Sequence, residues 1–231
     1  MSERPLIEAR RVTKFYPGEP KVAAVAGLSV TFAAGEFTAI AGPSGSGKST
    51  LLNLLGTIDQ PSEGEVLCEG RVVSRLSPDE AAEFRLRKLG FIFQAYNLIP
   101  VLTARENVEY PLELQGVPRA ERRARALEAL SRVGLAAFAD RRPNSLSGGQ
   151  QQRVAVARAI VHRPAVVLAY EPTANLDSKT GAALLDLMVE LNRDAGVTFL
   201  FSSHDPAVLA RAWRVVPMHD GRLVAPNAPA P

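Results

Sequence analysis

Residues 42–50 read Gly42-Pro43-Ser44-Gly45-Ser46-Gly47-Lys48-Ser49-Thr50. Their spacing, G-x-x-x-x-G-K-[ST], is that of a phosphate-binding loop. The apolar run Phe37 to Ala41 precedes the loop and the helix-like run Leu51 to Leu55 follows it, which is the strand–loop–helix context that such a loop requires. Glycines let successive backbone N–H groups point into one concavity, and the start of the next helix adds partial positive charge there. The stretch therefore predicts nucleotide binding on an α/β fold.

The loop also carries the side chains that a nucleotide triphosphate needs. Lys48 can reach the β- and γ-phosphates, and the Ser49 hydroxyl can bind Mg²⁺. We therefore expect a nucleoside triphosphate and Mg²⁺ as ligands, with Ser49 as a metal ligand. The residues expected to hold the phosphates are Gly42, Pro43, Ser44, Gly45, Ser46, Gly47, Lys48, Ser49 and Thr50.

Composition narrows the class of protein. The chain has 231 residues, of which 46% are apolar and 22% charged, which is enough for one large domain or two lobes. A net charge of only +3 suits an anionic ligand or a membrane face and argues against a nucleic-acid-binding protein. Cys68 is the sole cysteine, so no internal disulfide can form.

The chain has no segment that predicts its own insertion into a membrane. The first residues lack the apolar core of a signal peptide, and no apolar run approaches the length of a membrane span. We expect a cytoplasmic protein whose membrane role, if it has one, depends on a partner.

Three segments with different periodicity follow one another along the chain. Residues 6–40 indicate short strands and turns, and the middle of the chain is helical. Capping-box spacing predicts helix starts at Ser77, Thr103 and Ser147. The last third returns to fully apolar runs that are typical of buried parallel strands, with a hairpin signal at Asp220-Gly221.

Further motifs behind the loop give the chain a resemblance to a known family. The run Leu146 to Gln150 (LSGGQ) is similar to the signature of ATP-binding-cassette ATPases. Other matches are Gln94 at the Q-loop, Val166 to Glu171 at the Walker B strand, Ala174 to Asp177 at the D-loop and His204 at the switch position. The resemblance covers residues 6–224. The stretches that look most like the lipoprotein-releasing and macrolide-export branch are Gly90 to Gln94, Asn97 to Pro100, Thr103 to Pro111 and Leu146 to Arg158.

The resemblance implies a fold and its domain limits. It implies an α/β P-loop NTPase with a RecA-like, mainly parallel core, an N-terminal antiparallel β portion and an inserted α-helical lobe. The ATP-binding domain would span residues 6–224. Its core lobe would comprise 6–94 and 162–224, its helical lobe 95–161, and residues 225–231 would form a disordered tail.

The resemblance also implies roles for particular side chains. Tyr16, or failing that Phe15, would stack on adenine, and Gln94 would bind Mg²⁺ or its water and respond to the γ-phosphate. Glu171 would be the general base and His204 would hold the γ-phosphate, with Lys48 completing the catalytic set.

The signature implies a partner copy. Two cassettes of this family associate head to tail, so that the signature residues of one copy contact the nucleotide of the other. These trans residues are Ser147, Gly148, Gly149 and Gln150. The resemblance further implies an integral membrane subunit that the ATPase contacts around residues 94–106, at the cytoplasmic face of the inner membrane, with no nucleic-acid partner.

One position departs from the family pattern. The family has aspartate directly before the catalytic glutamate, and this chain has Tyr170. A phenol with an ordinary pKa near ~10 brings no charge to a hard cation. The chain could therefore bind Mg²⁺ weakly and hydrolyse slowly, another group could compensate, or Tyr170 could be a mutation or a sequencing error.

Two other functional classes stay open. A nucleotide-gated interaction module with little turnover is compatible with Tyr170. A soluble cassette ATPase of DNA repair or iron–sulfur assembly is the other, although the DNA-associated type usually carries a long insertion between the loop and the signature, and this chain has only a short segment there.

Overall fold

The computed structural model describes residues 5–18 and 22–224. The predicted disordered tail, residues 225–231, lies outside the described residues. The chain divides into two compact units: one comprises Met1–Glu83 with Phe199–Pro231, and the other comprises Phe84–Thr198. The domain limits expected from the sequence stay a prediction.

The strands of the described residues are β1 (Ile7–Tyr16), β2 (Val22–Phe32), β3 (Phe37–Ala41), β4 (Glu63–Cys68), β5 (Arg71–Val72), β6 (Leu89–Ile92), β7 (Val166–Tyr170), β8 (Thr198–Ser203), β9 (Arg214–His219) and β10 (Arg222–Leu223). The α-helices are α1 (Lys48–Leu55), α2 (Pro78–Lys88), α3 (Ala104–Leu114), α4 (Arg119–Arg132), α5 (Gly148–Ile160), α6 (Ser178–Ala195) and α7 (Pro206–Leu209). Short 3₁₀ helices cover Ala136–Phe138 and Pro143–Ser145.

The first unit combines an antiparallel sheet with parallel strands. The antiparallel sheet has the strand order β2-β1-β4-β5. Elsewhere in the unit, β3 pairs in parallel with β8 and β9, and β10 closes an antiparallel hairpin with β9. All residues of β3 and β8 are buried, as parallel strands covered on both faces require. The ring centroid of Phe37 lies 4.9 Å from that of Phe201 in this core.

The second unit is mainly helical. Strands β6 and β7 pair in parallel, and helices α3, α4 and α5 pack against one another. Helix α5 also packs on β6, where a Cβ on Gly90 would lie 2.2 Å from the carbonyl oxygen of Ala159. This close approach explains why a glycine stands in a buried strand.

These elements confirm the fold class expected from the sequence. The mixed α/β fold, its antiparallel β portion and its helical segment are all present. The capping boxes at Thr103 and Ser147 are formed with both reciprocal hydrogen bonds. Strand β2 begins at Val22, earlier than the alternation from Leu28 indicated, because its first half pairs with β1. No helix of the described residues is both long and apolar enough to span a bilayer.

Candidate functional site

The phosphate loop lies between β3 and α1 in the first unit. Its last glycine, Gly47, is the N-cap of α1 with φ 96°, a conformation that favours glycine. A Cβ at this position would also lie 2.2 Å from the carbonyl oxygen of Ala24, so no other residue fits. The first N–H groups of an α-helix have no partner within the helix, and no side chain caps those of α1. This is the arrangement that binds an anion at a helix start.

Lys48 supplies the charge of the loop. The side chain is buried, and its Nζ donates to the carbonyl oxygens of Gly42 and Pro43, each at 2.8 Å. These carbonyls hold the ammonium group at the mouth of α1, where the oxygens of a triphosphate can accept its protons. The next residue, Ser49, is exposed at the first turn of the helix.

Tyr16 and His204 also lie in the first unit. Tyr16 ends β1 with 39% of its surface exposed, and neighbouring Phe15 is equally accessible at 38%. His204 follows β8 and is exposed. The next residue, Asp205, caps α7 by accepting a hydrogen bond from the N–H of Ala207 at 2.8 Å.

The signature residues open α5 in the second unit. Ser147 is the N-cap: its Oγ accepts from the N–H of Gln150 at 3.3 Å, and Gln150 Oε1 accepts from the N–H of Ser147 at 2.9 Å. A Cβ on Gly149 would lie 2.4 Å from Cγ2 of Thr180, so a larger residue here would require Thr180 to move. The four signature residues carry no basic side chain.

Gln94 is joined to the segment that follows β7. Its Nε2 donates to Asn175 Oδ1 at 3.3 Å, and Asn175 Nδ2 donates to the carbonyl oxygen of Gln94 at 2.9 Å. Buried Gln152 of α5 donates to the carbonyl oxygens of Pro172 at 2.7 Å and Phe93 at 3.4 Å. Hydrogen bonds therefore connect the Q-loop, the D-loop and the signature helix.

The end of β7 carries Tyr170 and Glu171. The Tyr170 ring stacks on Phe93 with centroids 5.3 Å apart, and Phe93 stacks in turn on Phe91 at 5.9 Å. Burial raises the pKa of Tyr170 well above its ordinary value, so the phenol stays neutral. Glu171 follows with φ 44°, a left-handed conformation that is costly for a residue other than glycine.

The side chains fit Mg²⁺ as part of a nucleotide complex better than as a resident ion. Among residues 5–18 and 22–224 no cluster of three or more His, Cys, Asp or Glu side chains could hold a metal. Magnesium is usually held by phosphates, waters and one or two protein oxygens. The exposed Ser49 hydroxyl fits that role, and so does the amide oxygen of exposed Gln94. Neutral Tyr170 offers no carboxylate where the family has one.

Sequence reasoning missed several residues of these sites. Lys14 and Asp59 both contact Tyr16, and Asn175 and Gln152 hold the Q-loop. Only Lys14 carried a local signal, because it lies two residues before Tyr16 on the same strand and therefore shares its face.

An apolar groove lies on the surface of the second unit, with a volume of about 410 Å³. Its lining includes Phe91, Phe93, Tyr110, Leu114, Arg158 and His162. Arg158 donates to the carbonyl oxygens of Tyr96 and Asn97, and burial lowers the pKa of its guanidinium. The Nε2 of His162 lies 3.0 Å from the carbonyl oxygen of Leu89, while its Nδ1 is buried without a hydrogen-bond partner.

Comparisons with known proteins agree with this geometry. Residues 25–174 match the ABC transporter family. The chain is 49% identical over 223 residues to the macrolide export ATP-binding/permease protein MacB of Nitrosomonas europaea, and the match covers 96% of the chain and 34% of that protein. It is also 49% identical over 219 residues to an ABC transporter ATP-binding protein of Thermotoga maritima, with 94% and 93% covered.

A solved structure of similar fold is a dimeric, post-hydrolysis ATP-binding cassette bound to ADP and Pi. Its TM-score is 0.85 at 45% identity, with 94% of this chain and 96% of that chain covered. The chain spans about a third of the length of the export ATP-binding/permease relatives, 34% for MacB. The chain carries the phosphate loop and the signature. The chain therefore belongs to the ABC transporter family, as a cassette of its ATPase class.

Proposed function

We propose that the chain is the ATP-hydrolysing subunit of an export-type ABC transporter, acting as a head-to-tail pair around two ATP molecules. The observation that carries this proposal is the presence of two glycine-opened helix starts, at Lys48 and at Gly148. Each suits an anion. In the pair, the phosphate loop of one copy and the signature of the other hold the same triphosphate, so a γ-phosphate closes the pair. The relative of known structure that binds ADP and Pi is itself a dimer.

The side chains have separate tasks in this proposal. Lys48 binds the β- and γ-phosphates, and Tyr16 stacks on adenine. Glu171 draws the proton from the attacking water, and His204 orients that water against the γ-phosphate. Ser49 and Gln94 would hold Mg²⁺, which neutralises charge on the phosphates when bound.

The membrane partner is inferred from the groove of the second unit. Its apolar lining and the exposed side chains of Tyr110 (40%) and Leu114 (55%) suit an apolar helix of a permease. Export relatives such as MacB are ATP-binding/permease proteins, and this chain covers about a third of their length. Binding to a permease would hold the chain at the cytoplasmic face of the membrane. The export names of the relatives favour this function over a soluble ATPase.

A second candidate, a nucleotide-gated module with little turnover, is favoured by one observation. The Tyr170 ring is stacked on Phe93 and its phenol is neutral, so it brings no negative charge to a nucleotide-bound cation. Such a module would close on ATP and open only slowly. The ATPase rate of the purified chain at saturating Mg²⁺ separates the two candidates.

Co-purification from membranes of the native host tests the transporter proposal. We expect the tagged chain to retain a permease in mild detergent and to hydrolyse ATP. Leu114→Glu places a charge in the groove and should release the permease while ATP binding persists. Leu127→Glu is the matched control, because Leu127 is a comparable exposed leucine on α4 outside the groove. If Leu114→Glu retained the permease as well as the control does, the proposed docking site would be wrong.

A further inference from the structure

The phenol group of Tyr16 is anchored to a half-buried ion pair. Its O–H donates to Asp59 Oδ2 at 3.1 Å. Lys14 Nζ lies 2.5 Å from the other carboxylate oxygen, Asp59 Oδ1, and 2.9 Å from the carbonyl oxygen of Gln60. The same ammonium group lies over the Tyr16 ring, 5.3 Å from its centroid. The ring is therefore held at its hydroxyl end and covered by a cation on one face.

The positions of these residues in the fold explain why they meet. Lys14 and Tyr16 are two residues apart on β1, so their side chains point to the same face of the strand. Asp59 lies in the turn after α1, where its N–H donates to the carbonyl oxygen of Asn53 at 3.2 Å. Helix α1 is the helix that the phosphate loop opens. The ion pair thus ties Tyr16 to the far end of the phosphate-binding helix.

The carboxylate of Asp59 stays ionised at neutral pH. Burial alone would raise the pKa of Asp59, but hydrogen bonds from Lys14, from the N–H of Gln60 and from Tyr16 outweigh it and lower that pKa below its ordinary value. The side chain of Lys14 is only 15% exposed and that of Asp59 27%, so solvent screens the pair only in part. The ionised carboxylate can therefore hold both Lys14 and Tyr16.

We infer that Lys14 and Asp59 are positioning residues that hold the Tyr16 ring as a stacking platform for the purine base of the nucleotide. This inference rests on the proposed function and deepens it. Lys14 covers one face of the ring, and the exposed part of the ring is left to the base. A cation on one face also draws electron density from the ring, which strengthens its stacking with an electron-rich purine on the other.

Binding of two ligands to Lys14→Met tests the inference. ATP carries the base, whereas inorganic tripolyphosphate carries only the phosphates, and both can be titrated against a fluorescent ATP analogue. We expect ATP affinity to fall about fivefold, the size of one cation–π contact, and tripolyphosphate affinity to stay unchanged. Lys14→Arg, which keeps a cation, should restore most of the ATP affinity.

Arg10→Met is the matched control. Arg10 lies on the same strand and pairs with Glu8 and Glu65, away from Tyr16, so its loss should leave both affinities unchanged. Asp59→Asn is a second variant, in which the side chain keeps its shape. It should also lower the affinity for ATP and leave the affinity for tripolyphosphate unchanged. In a Tyr16→Leu background, which should itself bind ATP about tenfold more weakly, Lys14→Met should have no further effect.

The outcomes separate this inference from the proposed function. An equal fall in the affinities for ATP and for tripolyphosphate in Lys14→Met would overturn the inference, because Lys14 would then act on the phosphates or on the fold. A full additional loss of ATP affinity in the Tyr16→Leu background would overturn it as well. If the unaltered chain bound neither ligand, the proposed function itself would fail.

Discussion

The phosphate loop and the signature both place glycines at a helix start, but different groups satisfy the two starts. Helix α1 has no side-chain cap, and buried Lys48 donates to carbonyls of its own loop. Helix α5 is capped by Ser147 and Gln150, and its first residues carry no cation. The first start keeps its N–H groups and a positive charge for a ligand. The second start has already satisfied part of its donors internally.

This difference gives the two helix starts different roles in nucleotide binding. A free triphosphate carries several negative charges, and Lys48 can pair with them directly. The signature can add only a few donors and the helix dipole, and the dipole is worth about 0.3–1 kcal/mol for a charge near a solvent-exposed helix end. We therefore expect the phosphate loop to bind nucleotide alone and the signature to act on nucleotide that another copy already holds.

Replacing the signature cap gives the largest expected effect. Ser147→Arg should abolish ATP hydrolysis, because a bulky side chain at the start of α5 blocks closure on the nucleotide of the partner. ATP affinity of the monomer should stay unchanged, as measured by titration with a fluorescent ATP analogue. If the ATP affinity of the monomer fell together with the rate of hydrolysis, the signature would act on the nucleotide of its own copy. The distinction between the two helix starts would then be wrong.

Removing the cation of the phosphate loop affects binding itself. Lys48→Ala should lower ATP affinity by at least about 100-fold, because two hydrogen bonds from a charged group, each worth about 1.5–3 kcal/mol, are lost. Titration with the fluorescent ATP analogue measures this affinity. Lys88→Ala is a suitable control, because Lys88 lies at the end of α2 outside the loop. Affinity close to that of the control would contradict the role given to Lys48.

Replacing Tyr170 tests how residue 170 affects the Mg²⁺ requirement of the ATPase. Tyr170→Asp should raise the ATPase rate and lower the Mg²⁺ concentration for half-maximal activity, each by about tenfold, since an outer-shell carboxylate is worth that much. ATPase rates across a Mg²⁺ titration measure both. Tyr170→Phe is the control, because it keeps a ring for Phe93 to stack on and adds no charge. Equal Mg²⁺ requirements in all three proteins would mean that another group already serves the cation.

Removing the hydroxyl group from either of two capping boxes gives the smallest expected effect. The two variants together distinguish a loss of stability from a loss of function. Ser147→Ala and Thr103→Ala each remove a hydroxyl cap, so each should lower the free energy of unfolding by about 1 kcal/mol in chemical denaturation. Only Ser147→Ala should also reduce ATPase activity, since Thr103 caps a helix with no signature. Similar activity loss in both variants would reduce the role of Ser147 to that of a helix cap.

Features encoded within a few residues could be predicted from the sequence. The phosphate loop and the capping boxes depend on spacings of three to eight positions, and their strand or helix context is local. The Gln94–Asn175 hydrogen bonds could not be predicted, because the two residues lie 81 positions apart. The same holds for the ring stack of Tyr170 on Phe93 and for the pairing of Lys14 with Asp59, which depend on how strands and loops are brought together.

Thiol cross-linking between two copies tests the central claim most directly. One tagged copy carries Ser44→Cys in the exposed part of the phosphate loop, and a differently tagged copy carries Ser147→Cys. Both carry Glu171→Gln, which should hold the closed pair because hydrolysis no longer releases it. The native Cys68 is buried, so background reaction with a short bifunctional thiol reagent should be low. We predict a covalent heterodimer that forms only with ATP and only when the two cysteines are on different copies. A pair that bound ATP yet gave no heterodimer would contradict the account.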